Sequence, residues 1–245
     1  MAIIYVRDKT SRQIIHIEES FSSLVWTERY QEAGDFVLDV PIDVADFNVY
    51  KKGNYVSFDE SLESMVIESI EITEKAEAPV LEIKGRSLSS LLMRRINASK
   101  VFAVFDGKLT GTRGPDTNSG LIQYSGAVDE VIQNILNDDL INPIVPSYYW
   151  AHKEGGEWVR GYSDTSSNTG MVEYVPYPSR KISNFAYQNL ISPIFSVSKS
   201  YDELMTLYDI LVSIAKEYMF GFRVILNGLN MVLQTYKGVN RTNSQ

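Results

Sequence analysis

Leu24-Val25-Trp26-Thr27-Glu28-Arg29-Tyr30-Gln31-Glu32-Ala33-Gly34-Asp35-Phe36-Val37-Leu38-Asp39-Val40-Pro41 spells a strand, a turn and a second strand. Leu24 to Tyr30 is rich in apolar and aromatic residues, and Glu32-Ala33-Gly34-Asp35 supplies turn chemistry. Phe36, Leu38 and Val40 then alternate with Asp35 and Asp39, so they share one face and are expected in a core. Pro41 cannot donate to a ladder and stops the strand. Trp26 is large enough to anchor a barrel core or a neighbouring barrel, and Gly34 is expected to permit the turn. Glu28 and Arg29 are expected on opposite faces, one of them available for a subunit contact, a solvated face being the plain alternative.

Working outward, Ile3 to Val6 and Ile14, Ile15 and Ile17 flank the polar turn Asp8-Lys9-Thr10-Ser11, which predicts a hairpin. Tyr55 to Phe58, Met65 to Thr73 and Val80 to Lys84 are further strands, and a meander closing into a small barrel accommodates them all. Gly85-Arg86-Ser87 precedes Leu88, Leu91 and Leu92 at helical spacing, with Ser87 as the expected N-cap of a short helix ending near Arg94 and Arg95.

Two stretches, 106 to 123 and 153 to 170, are rich in Gly, Ser, Thr, Asn and Asp and read as long loops. Between them Val128, Val131, Ile132, Ile135, Leu136 and Leu140 recur at helical intervals, and the helix is expected to end at Asn142-Pro143. A second helix carries Leu204, Leu207, Tyr208, Leu211, Ile214, Ala215 and Tyr218, with Ser200 or Asp202 as its cap. Phe222 to Leu226 and Leu229 to Tyr236 flank Asn227-Gly228, a hairpin signal in which both turn residues are expected at positive φ. That hairpin has no obvious neighbour and is followed by a polar stretch, so the natural protein is expected to continue past Gln245. The domain reading is a first barrel-like region over 1–97, a loop-rich inserted α/β segment over 98–179, and a second region of helix plus hairpin over 180–245. The expected fold class is α+β and β-rich, with small β-barrel domains and added α/β segments.

The 245 residues carry a net charge of −8, which disfavours specific nucleic-acid binding because duplex binders concentrate Lys and Arg. There is no cysteine, so disulfides, thiolate nucleophiles and cysteine-based metal sites are excluded. No signal peptide or membrane-spanning run is present, which predicts synthesis in the cytoplasm without a membrane anchor. The two histidines, His16 and His152, do not suggest a metal site, and His16 reads as an outward polar position in a strand. No phosphate loop, dinucleotide fingerprint or nucleophile elbow occurs, so no cofactor and no catalytic residue is predicted. A carboxylate pair for glycoside hydrolysis remains conceivable from sequence, with Asp138-Asp139 more simply read as solvated charges. Tyr148, Tyr149, Trp150 and Trp158 form an aromatic cluster suited to contact with a protein or a glycan, or to pinning a long excursion to the body.

The stretch from Leu24 to Pro41 resembles the start of tail-hub proteins of siphophages infecting Gram-positive bacteria, in which a Trp-Thr-x-Arg-Tyr strand meets a Gly-Asp-Phe turn. Gly85-Arg86-Ser87-Leu88, with Leu91-Leu92 and Arg94-Arg95, is similar to the family's Gly-Arg-Ser-Leu segment. Gly238-Val239-Asn240-Arg241-Thr242 is similar to a Gly-x-Asp-Arg-Ser/Thr stretch that follows a hairpin there, with Asn240 where Asp is usual. The resemblance covers the first 95 residues and about the last 45, and the middle poorly. It implies a structural, non-enzymatic tail-tip or baseplate hub protein: a homotrimer around the tail channel, located in the virion at the tail tip. The implied partners are the distal tail ring protein and the tape measure protein, with DNA passing through. Its signature residues in this chain are Trp26, Glu28, Arg29, Gly34, Phe36 and Arg86, as subunit-interface or core positions. A cell-wall hydrolase and a carbohydrate-binding module of a phage tail are the alternatives, separable by zymography and by glycan arrays.

Overall fold

The computed structural model describes residues 2–75, 78–95, 103–105, 108–110, 121–141, 148–154, 157–160, 173–176, 181–192, 194–202 and 205–238. For 103–105, 108–110, 121–123, 138, 148–154, 157–160, 173–176 and 202 it describes the backbone alone. In chain order the strands are β1 (Ile4–Arg7), β2 (Ile14–Glu18), β3 (Ser23–Thr27), β4 (Asp35–Pro41), β5 (Tyr55–Phe58), β6 (Ser64–Glu74), β7 (Pro79–Ser87), β8 (Ala103–Phe105) and β9 (Lys108–Thr110). They continue as β10 (Leu121–Ala127), β11 (Tyr148–Glu154), β12 (Glu157–Arg160), β13 (Glu173–Pro176), β14 (Phe185–Leu190), β15 (Ser196–Asp202), β16 (Gly221–Asn227) and β17 (Asn230–Tyr236). The α-helices are α1 (Val128–Leu136) and α2 (Leu207–Tyr218). The protein is α+β and β-rich, and its contacts divide it into two units, 1–95 with 184–195 and 206–245, and 96–183 with 196–205.

The first unit is built on a seven-stranded sheet in the order β2-β1-β5-β6-β7-β4-β3. Only β5, β6 and β7 form a meander; β1 adds beside β5, and β4 adds beside β7. Strands β2 and β3 lie at opposite ends of this order, yet Glu18 and Ser23 are five residues apart, a reach of at most about 18 Å. Seven strands laid flat would hold those ends about 29 Å apart. The sheet must therefore curl, and ring contact between Trp26 of β3 and Phe58 of β5, centroids 5.7 Å apart, shows that it does. Among the described residues no ladder joins β2 to β3, so the curl is an incomplete barrel. Its interior holds Ile4, Val6, Phe36, Leu38, Val40, Val56, Met65, Ile67, Leu81 and Ile83, all buried. The expected core trio of β4 is there.

A 3-10 helix, Leu88–Arg94, follows β7, with Ser87 before it. The sequence makes Ser87 the expected N-cap, but its side chain forms no cap hydrogen bond; its hydroxyl accepts from the Gly34 amide instead. Helix α2 buries Leu207, Ile210, Leu211, Ile214 and Ala215. Its cap is Thr206, whose hydroxyl accepts from the Asp209 amide at 3.0 Å, while Ser200 and Asp202, the expected caps, belong to β15.

The β16–β17 hairpin forms where Asn227-Gly228 predicts it, but Asn227 pairs with Asn230 and the two turn residues are Gly228 and Leu229. Only Gly228 has positive φ, 60°, which is the type II′ pattern rather than the expected Asn-Gly turn. The hairpin does have a neighbour: β14 pairs with β17 in parallel, from Phe185 opposite Met231 to Leu190 opposite Tyr236.

In the second unit β10 pairs antiparallel with β15, and α1 buries Val128, Val131, Ile132, Ile135 and Leu136. A π-helical turn, Asn137–Ile141, extends α1; Leu140 and Asp139 are fully buried, so Asp139 is not the solvated charge the sequence suggested. Strands β12, β11 and β13 form one small sheet, β8 and β9 another. The stretches read as long loops thus contain β9, the start of β10, the end of β11 and β12. No described helix is long and apolar enough to cross a membrane.

Candidate functional site

Residues 28–34, between β3 and β4, grip the C-terminal part of the first unit. The Tyr30 hydroxyl donates to the Met219 carbonyl at 3.3 Å and accepts from the Gly238 amide at 2.7 Å. The Tyr30 carbonyl accepts from the Phe222 amide at 3.1 Å, and its ring meets that of Tyr236 edge-on at 5.5 Å. A side chain at Gly221 would lie 2.5 Å from the Tyr30 ring, so glycine is required for the approach. Gln31 braces the end of α2: its amide donates to the carbonyls of Ala215, at 2.8 Å, and of Phe220 just past the helix, at 3.2 Å. The Ala33 amide donates to the Tyr208 hydroxyl at 2.7 Å, and Lys216 pairs with Glu32 at 2.9 Å.

The second signature segment meets the same loop. Gly34 donates to the Ser87 hydroxyl at 3.1 Å and accepts from the Ser87 amide at 2.9 Å. Gly34 is not at positive φ; a Cβ there would sit 2.1 Å from the Thr27 carbonyl oxygen, so close backbone approach demands the glycine, not the turn conformation expected. Gly85 is demanded likewise, since its Cβ would lie 1.8 Å from the Val66 oxygen and 2.8 Å from the buried Phe36 ring. Beside it Arg86 makes a two-pronged bond to Glu68, 2.8 and 2.9 Å, and Glu68 is the extra residue where the β6–β7 register shifts between Ile67 and Ser69. The Arg86 hydrogen bonds hold the Glu68 carboxyl below its usual range.

Trp26 packs on Phe36 at 5.8 Å and donates from Nε1 to the Ser61 hydroxyl at 3.1 Å. Ser61 in turn donates to Glu28 and accepts from the Glu63 amide at 2.9 Å. Glu63 is 3% exposed, and no described residue donates to its carboxylate. Burial first, and then the nearby Glu28 charge, push its carboxyl up to about 8 against the opposing pull of Arg223. Arg223 itself donates to Gln234 at 3.0 Å and lies 4.7 Å over the Tyr236 ring. Burial, chiefly, and the Glu63 charge push the Tyr236 phenol up.

Of the six signature residues, Phe36 is in the core and Trp26 is packed against it. Gly34 and Arg86 lie at the clasp, and Glu28 and Arg29 bond within the chain, Arg29 to the Ala33 carbonyl at 2.9 Å and to Asp35. Sequence reasoning missed Tyr30, Gln31 and Ser61 as partners, because each acts on a residue distant in sequence, and it gave Ser87 the role of a helix cap rather than of a partner to Gly34. Tyr148, Tyr149 and Trp150 fall in β11 and Trp158 in β12, opposite Lys153; their side chains, and that of His152, lie outside the described residues. His16 is partly buried, not outward: Nε2 is 3.3 Å from Glu18, which also accepts from Tyr50 at 2.9 Å. Among the described residues no cluster of three His, Asp or Glu is arranged to hold a metal. What this arrangement does chemically is to fasten elements together.

The segments that converge on this loop are those that carry the motifs, and a family description spans them: the siphovirus ReqiPepy6 Gp37-like proteins match residues 3–245. The chain belongs to that family. The siphophage resemblance of the motifs is thereby shown at the family level. Among solved structures, prophage tail protein gp18 from Listeria monocytogenes EGD-e is similar at 11% identity, over 96% of this family member and 50% of that chain, with a TM-score of 0.49. The prophage MuSo2 43 kDa tail protein from Shewanella oneidensis is similar at 11% identity, over 98% and 56% of the two chains, with a TM-score of 0.43. The E. coli c3393 protein, described as a component of the type VI secretion system, is similar at 9% identity, over 96% and 45%, with a TM-score of 0.36. This family member thus spans about half the length of the solved chains it matches. No curated protein matches it.

Proposed function

We propose that this chain is a structural, non-enzymatic hub protein of a siphophage tail tip, assembling as a homotrimeric ring around the tail channel at the distal end of the tail. Residues 1–97 supply a barrel-like hub region, 180–245 a second hub region, and 98–179 the segment between them. The partners are two further copies of the chain, the distal tail ring protein above, and the tape measure protein that leaves through the channel with the DNA. The net charge of −8 suits a passage that DNA must not adhere to.

The observation that carries this reading is that the loop of the first signature segment holds residues of the other two: Gly34 meets Ser87, and Tyr30 meets Gly238, while Trp26 packs on Phe36. The motifs encode how the hub region is fastened, which supports membership of a protein whose work is shape. Signature positions Trp26, Gly34, Phe36 and Arg86 are proposed as core and clasp residues, while Glu28 and Arg29 lie on the surface from which a subunit contact is made. Cryo-electron microscopy of the intact tail tip tests it. Three copies ringing the channel next to the distal tail ring are expected; six copies, or a position away from the channel, would overturn it.

A further inference from the structure

The tip of the β16–β17 hairpin carries a reactive dipeptide. Asn227-Gly228 is the single Asn-Gly pair in the chain, and both residues are exposed. The ladder closes on Asn227 opposite Asn230, so the Gly228 amide lies in the turn, outside the strand pairing. A Cβ built on Gly228 would meet nothing within 4 Å. Among the described residues none bonds the Asn227 carboxamide. Other asparagines are held: Asn54 is 3% exposed and bonded to the Lys9 amide and the Val49 carbonyl, and Asn189 accepts from the Ile191 amide and the Thr235 hydroxyl. Asn230 is exposed as well, but it precedes the buried Met231. The turn is also fastened to the first sheet. The Arg12 guanidinium donates to the Leu229 carbonyl at 2.7 Å and to the Asn184 carbonyl at 3.3 Å, and Asn184 accepts in addition from the Met231 amide at 2.8 Å.

We propose that Asn227 is a site of spontaneous covalent modification: its carboxamide cyclises onto the Gly228 nitrogen and reopens as aspartate or isoaspartate, and the isoaspartate form releases the turn from Arg12. This goes beyond the hub reading and does not depend on it. The Gly228 nitrogen bonds to Asn227 Cγ, the Cγ–Nδ2 bond breaks, and ammonia leaves with the proton that Gly228 gives up. Solvent water then opens the imide. Cleavage at Cγ restores the peptide with an aspartate side chain; cleavage at the main-chain carbonyl leaves the chain running through Cγ, one carbon longer, with a free α-carboxylate. Cyclisation requires Asn227 to leave its extended backbone, which opens only the last rung of the ladder, at a hairpin tip where local opening is cheap. Glycine assists, because a residue without Cβ neither shields its nitrogen nor resists rotation of the backbone. Both products place a carboxylate where a neutral amide stood. Only isoaspartate lengthens the two-residue turn whose span sets the Leu229 carbonyl against Arg12.

Peptide mapping of the folded chain during prolonged incubation at mildly alkaline pH reads the reaction. The tryptic peptide from Val224 to Lys237 contains both Asn227 and Asn230, so one measurement compares them. Asn227 is expected to convert on the order of ten-fold faster than Asn230, with isoaspartate identified by fragmentation. Asn227→Gln is expected to stop conversion at that position, because the longer side chain cyclises far more slowly. Equal rates at the two asparagines, or conversion in the urea-unfolded chain with none in the folded one, would sink the site. The isoaspartate form, separated by its added negative charge, is then followed by hydrogen exchange. Its Met231 amide is expected to lose protection on the order of ten-fold, while Asn227→Asp, which carries the charge at native chain length, keeps it. The same loss in Asn227→Asp, or no loss in the isoaspartate form, would overturn the link to Arg12.

Discussion

Met219 ends α2 in the left-handed region, φ 56°, with a side chain that is 67% exposed. A Cβ in that conformation costs about 1 kcal/mol, and so exposed a side chain returns little through contacts. Met219→Gly is therefore expected to raise stability by about 0.5–1 kcal/mol, seen as a higher urea midpoint with unchanged slope. Gly34 is the opposite case. Its backbone is not left-handed, so alanine is forbidden only by the Thr27 carbonyl oxygen 2.1 Å from where Cβ would stand. Relief must come from moving β3 or β4, and Gly34→Ala is expected to cost about 2–3 kcal/mol. An alanine variant that melts with the wild type would mean that residues 28–34 are not seated on β3 as described. The two substitutions separate the two reasons for glycine, which sequence alone had merged.

At the scale of elements, the β6–β7 bulge shows how a charge pair is recruited to shape a sheet. Glu68 is the extra residue, Arg86 answers it with two bonds, and Arg94 adds a third at 3.3 Å. Because the pair is partly solvated, Arg86→Met is expected to cost only about 0.5–1 kcal/mol at neutral pH. The Glu68 carboxyl is held below 4.5, so that contribution is present above pH 4.5 and is lost as pH falls through the lowered value; wild type and variant should converge in acid melts. A gap that stays constant into acid would assign the loss to packing. The elements of the first unit were legible where their signals are local: the alternation Phe36, Leu38, Val40, and the stripe of α2. The hairpin was placed but shifted by one residue, since Gly228 alone takes positive φ and Asn227 stays in the ladder opposite Asn230. Strand β14 was missed because parallel pairing to β17, 40-odd residues onward, leaves no turn chemistry to read. The clasp was missed for the same reason: Gln31 acts on the far end of α2.

For the molecule as a whole, the sharpest rival to a structural role is a cell-wall hydrolase, and the clasp gives that rival a specific form. A carboxyl pushed up to about 8 beside an exposed second carboxylate, Glu63 and Glu28, has the titration pattern of a glycosidase acid and its partner. Titration is not access, however. An acid catalyst must touch the leaving oxygen, and Glu63 is only 3% exposed, while Glu28 accepts from the Ser61 hydroxyl that also receives the Trp26 indole. The raised carboxyl is explained first by burial and then by the Glu28 charge. Incubated with purified host cell walls, the chain is expected to release no reducing sugar and no soluble fragment between pH 5 and 8, and Glu63→Gln and Glu28→Gln are expected to match the wild type. Release that disappears in both variants, with their folds intact by circular dichroism, would show that a glycan reaches Glu63 and Glu28 and would replace the structural reading with a catalytic one.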